Sequence, residues 1–104
     1  MPSLALEYLL EAEQARSGAS AMSVGTMDGL PIVGIGDVDP NELSAAGALK
    51  VAGLGEHAVL GALLDRVFRM SVVALPEGQN VLVTALGGDG LSPEVESGVV
   101  RILS

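Results

Sequence analysis

Few residues in this chain are of a type and spacing that could do chemistry. His57 is the one histidine, and cysteine is absent from all 104 residues. A nucleophilic relay needs imidazole between a nucleophile and an orienting acid, and a catalytic zinc site ordinarily takes more than one imidazole. Glu56 adjoins His57 in sequence, but adjacent residues of a helix do not face each other. His57 therefore reads as a helix-surface or interface residue. Asp37, Asp39 and Asn41 alternate as the first ligands of a calcium loop do. Glu42 then stands where that loop needs glycine, and Ala48 where it needs a bidentate glutamate. Helix capping explains the same three residues. Gly34-Ile35-Gly36 and Gly53-Leu54-Gly55 have the glycine spacing of nucleotide loops. Neither completes the dinucleotide fingerprint, and no Gly-Lys-Ser/Thr follows. Asp28 is accounted for by a turn. Arg66 and Arg69 would either meet an acidic partner or act as strand-edge charges that oppose aggregation; the sequence leaves both open. The expectation is no catalytic residue, no metal and no cofactor.

Composition narrows the classes further. Thirteen acidic residues against five basic ones give a net charge of −8. That balance opposes binding to phosphate backbones or anionic membranes, which need clustered Lys and Arg. Apolar residues make up 49 % of the chain, yet the only aromatics are Tyr8 and Phe68, so the core must be aliphatic. The absence of cysteine suits a reducing compartment. Residues 1–10 carry no basic residue, and Glu7 and Glu11 interrupt the apolar run, unlike a signal peptide. No uncharged apolar run approaches the roughly 20 residues that span a bilayer. A single cytoplasmic domain over residues 1–104 is expected.

The elements follow from local patterns. Residues 3–16 read as a helix, with Ser3 as its cap and Leu6, Leu9, Leu10 and Glu13 at helical spacing. Leu4, Tyr8 and Ala12 widen the stripe. Two β-rich arms then flank Asp28-Gly29, a pair able to take the positive φ angles of a tight hairpin turn. Asp39-Pro40-Asn41-Glu42 combines a cap, a first-turn proline and a first-turn acid, so a second helix starts at Pro40. It is expected to run to about Gly61, or to break into two at Gly53-Leu54-Gly55. Its glycines each cost roughly 1 kcal/mol relative to alanine, so they imply a close neighbour: a sheet, or the same helix of a second copy. Residues 64–75 read as a strand, although Leu64 to Met70 could also continue a helix; 76–80 read as a turn and 81–86 as a strand. Ser92-Pro93-Glu94 starts a last helix over residues 93–103 that buries Val95, Val99, Ile102 and Leu103.

This order, together with Leu6 to Leu10, Ala21 to Val24, Asp28-Gly29-Leu30-Pro31-Ile32, Asn41-Glu42-Leu43 to Ala48, Val67 to Val73 and Val81 to Leu86, resembles the roadblock (dynein light chain) family of bacterial or archaeal type. The resemblance implies an α+β sandwich of order α-β-β-α-β-β-(β)-α, with a central, mainly antiparallel sheet of four to five strands. Residues 87–104 leave little room for the fifth strand. The resemblance also implies a non-catalytic scaffold that pairs with itself, or with a related roadblock subunit, and binds or regulates a small Ras-like GTPase or a larger assembly. The expected interface is Arg66, Phe68, Met70 and Val72 on the strand, and Leu43, Gly47, Val51 and Leu54 on the second helix. A different class of function stays open, a small-ligand sensor with a cavity beneath the glycine-rich helix.

Overall fold

In the computed structural model the described residues are 2–53 and 68–104. Their order is α1 (Pro2–Ser17), β1 (Ala21–Thr26), β2 (Pro31–Gly36), α2 (Pro40–Val51), β3 (Phe68–Ala74), β4 (Asn80–Leu86) and α3 (Pro93–Leu103). The strands form one antiparallel sheet in the order β2-β1-β4-β3. Among the described residues there is no fifth strand, and Gly87 to Ser92 forms a loop.

Cross-strand register divides the sheet into two faces, because directly opposed residues point the same way. On one face lie Met22, Val24, Val83, Ala85, Val81 and Val73. α1 covers β1 and β2 there, α3 packs on α1 and β3, and Leu6, Leu10, Val95 and Val99 complete a buried aliphatic cluster. On the other face lie Ala21, Ser23, Gly34, Gly36, Leu82, Thr84 and Leu86. There α2 covers β1, β2 and β4, burying Leu43 and Ala46 against Ala21 and Leu86.

Local signals explain most boundaries. The Asp39 carboxylate accepts from the Asn41 N–H at 2.9 Å, which caps α2. Ser92, extended at φ −86°, caps α3 ahead of Pro93. α1 departs from expectation at its start: Ser3 lies inside the helix, not at its cap. Its buried stripe is also narrower, since Leu4 and Tyr8 are exposed. α2 ends at Val51, and Gly53 at φ +81° turns the chain; the rest of the segment expected to reach Gly61 lies outside the described residues. The hairpin turn is wider than an Asp-Gly pair alone would make it. Gly29 takes φ +92°, while no described non-glycine residue has a positive φ. The Gly29 N–H donates to the Thr26 carbonyl at 3.1 Å and the Thr26 N–H to Leu30 at 2.9 Å. The second hairpin repeats this geometry: Gly78 donates to Leu75 at 3.0 Å and Leu75 to Gln79 at 2.8 Å.

Candidate interaction surface

β3 sits at the end of the strand order, paired on one side with β4. No described strand occupies its other edge. On the α2 side of the sheet, Met70 and Val72 stand opposite Thr84 and Leu82. No described helix covers β3 on that side, and Val72 is 45 % exposed. Val51, at the end of α2, is also exposed. Among the described residues, Met70 and Val72 thus lie on a half-covered side of a strand whose outer edge no described strand pairs, a combination open to a further strand or a second subunit.

The structure separates the expected interface residues into groups. Phe68, Met70 and Val72 lie on β3, at register positions facing the same side of the sheet. Leu43 is fully buried against the chain's own sheet. Gly47 is likewise turned inward: a Cβ built there would lie 2.4 Å from Thr84 Oγ1 and 3.1 Å from Leu82 Cδ2. These two residues serve α2–sheet packing within the chain, so they leave the list of surface candidates. Arg66 and Leu54 fall outside the described residues, as does His57. The expected cavity under the glycine-rich helix is absent at Gly47, where the helix backbone and the sheet already touch. Near it the packing is polar. Ser44 donates to Ser23 at 3.1 Å in the buried layer, while the buried Thr84 hydroxyl has no partner.

One polar cluster was not anticipated. Glu13 of α1 is buried and accepts from the Ser92 N–H at 2.7 Å and the Ser92 hydroxyl at 2.9 Å. Arg16 chelates the same carboxylate at 2.9 and 2.8 Å and donates to the Gly90 carbonyl at 2.6 Å. Arg16 first, then the Ser92 donors, hold the Glu13 carboxyl down at about 2 against the opposing effect of burial. Glu13 thereby acts as a cap for α3 supplied by a different helix. The sequence signal was an acid inside the Leu6–Leu10 stripe with an arginine three residues later; what it would bind depends on the fold. The cluster fastens helices and borders a mainly apolar cleft of about 270 Å³ that Leu9, Ala12 and Val95 also line. Among the described residues no group of His, Cys, Asp or Glu is arranged to hold a metal ion, and no helix is long and apolar enough to cross a membrane.

No protein-family model matches the chain, and no curated protein matches it in sequence. Similarity appears in solved structures. A gliding protein, MglB, from Thermus thermophilus superposes with a TM-score of 0.64 at 15 % identity, over 97 % of this chain and 90 % of that one. MglB from Myxococcus xanthus superposes with a TM-score of 0.62 at 13 % identity, over 96 % and 88 %. At such identity the likeness concerns the fold, and it extends over nearly the whole length of both partners. The four-stranded antiparallel sheet between α2 and the α1–α3 pair is therefore a roadblock-like fold, the one these two MglB proteins share.

Proposed function

We propose that this chain is a non-catalytic adaptor that works as a dimer and binds a small Ras-like GTPase or a larger protein assembly. The observation that carries the reading is β3: an edge strand with an exposed valine, on the side of the sheet that α2 leaves uncovered. Two copies meeting there would continue the sheet across a two-fold axis and cover Val72. Phe68, Met70, Val72 and Val51 are the residues assigned to this contact. The roadblock-like fold shared with MglB supports the choice of partner class, and the net charge of −8 favours a partner with a basic surface. The mechanism is presentation of a surface, with no bond made or broken by this chain.

Purified chain immobilised at low density should retain a Ras-like GTPase encoded beside it in the genome. Retention should differ between the GTP- and GDP-loaded forms. Equal, background-level retention of both forms by a verified dimer would remove the GTPase and leave the assembly reading.

A further inference from the structure

The edge of β3 is charged on its other side, and the charges are patterned. On the α1–α3 side, Arg69, Ser71 and Val73 alternate along the strand. The Ser71 hydroxyl donates to the Glu96 carboxylate on α3. The Arg69 side chain lies along the loop, such that a Cβ at Gly90 would stand 3.6 Å from its Cδ and Nη1. Arg69, Ser71, Asp89, Gly90 and Glu96 line a cleft of about 640 Å³ that opens at this edge. Its cation and the carboxylate held by Ser71 are two strand positions apart. Among the described residues Arg69 forms no ion pair.

We infer that two copies pair through β3 in one register, with Met70 opposite Met70 on the two-fold axis, and that Arg69 of each copy selects it by meeting Glu96 of the other. The inference rests on the self-pairing proposed above. Opposed residues of an antiparallel pair share a face, so a two-fold axis must pass through a residue position and not between two. An axis through Arg69 sets two guanidinium groups against each other. An axis through Ser71 brings together the two hydroxyls that hold Glu96, and with them two carboxylates. Directly opposed like charges are destabilising. An axis through Val72 carries Arg69 beyond the end of the facing strand. With Met70 on the axis, Arg69 stands directly across from the partner's Ser71, at the roughly 5 Å spacing of opposed positions. The carboxylate held by that serine then lies beside it, joining Asp89 and Glu96 of its own cleft as countercharges, and symmetry makes the contact twice. On the other side of the sheet the same register sets Val72 opposite position 68 of the partner strand.

The chain contains no cysteine, so single-cysteine variants report register directly. A disulfide needs Cα atoms within about 7 Å. Under mild oxidation M70C should cross-link to a dimer. S71C, whose copies would stand roughly 8 Å apart, and V72C, at roughly 14 Å, should cross-link at least tenfold more slowly. Independently, R69E and E96R should each weaken self-association roughly tenfold, because every such homodimer opposes like charges twice. Mixed together they should form a one-to-one heterodimer, in which both contacts are again opposite in sign. Faster cross-linking of S71C or V72C, or a mixture without heterodimer preference, would overturn the register while leaving a dimeric wild type intact. A wild type that is monomeric at every concentration would overturn the self-pairing reading, and this inference with it.

Discussion

The two faces of the sheet are built differently. The face under α1 and α3 is filled by large aliphatic side chains, with α1 on β1 and β2 and α3 on β3, and its rim is fastened by the Glu13–Arg16–Ser92 cluster. The face under α2 is assembled from glycine, alanine, serine and threonine with a few leucines, and no described helix covers it at β3. Small residues let a helix backbone approach closely, as Gly47 does over Thr84 and Leu82. Among the described residues α2 stops short of β3, and Met70 and Val72 stand on that side.

The contrast can be broken most strongly on the open face. Val72→Asp should weaken self-association by roughly a hundredfold or more, since an interface valine becomes a buried unpaired charge. Circular dichroism should stay unchanged because Val72 is 45 % exposed in the single chain. Unaltered sedimentation of the variant would count against β3 as the contact.

On the closed face the largest effect belongs to Glu13. Glu13→Ala should cost about 2 kcal/mol, the sum of a lost cap and a guanidinium left without its carboxylate, measured by urea unfolding. The pH dependence has a definite sign. The folded-state value of about 2 lies below the ordinary 4.5, so the contribution is fully present above 4.5 and is lost as pH falls from there towards 2. Wild type should lose stability across that window, and Glu13→Gln should lose distinctly less. Parallel curves would show that the carboxylate is not what fastens α3.

Beneath α2 the expected effects are smaller. Gly47→Ala adds a methyl group 2.4 Å from Thr84 Oγ1, and overpacking of this kind costs about 1–2 kcal/mol, more than the roughly 1 kcal/mol gained from helix propensity. A net gain in stability would mean that the layer is looser than described. Thr84→Val removes a buried hydroxyl that has no partner at almost constant shape, so it should be neutral or stabilising by up to about 1 kcal/mol. A clear loss would show that the hydroxyl is bonded in solution.

How much of this was legible in the residues differs by element. The starts of α2 and α3 were written locally, in Asp39-Pro40 and Ser92-Pro93, because capping is settled within four residues. Both hairpins were readable from strand patterns and turn glycines. The exposure of Leu4 and Tyr8 was not, since a helical stripe shows which residues share a side but not how wide the neighbouring surface is. Gly47 could be recognised as a close contact, yet only the sheet register shows that the neighbour is Thr84 of the same chain rather than a second helix. For the same reason Leu43 and Gly47 are seen to pack on the chain's own sheet, while Met70 and Val72 lie on the last strand of the described order. The Glu13–Ser92 contact spans most of the chain length, and no local pattern specifies its partner.

Whether a second copy closes the sheet at β3 is read most directly from light-scattering mass after size exclusion, across a wide concentration range. The expected result is a stable mass of twice the 10.5 kDa of one chain, falling to that of one chain on Val72→Asp. A wild-type mass of one chain at high concentration would rule out pairing through β3.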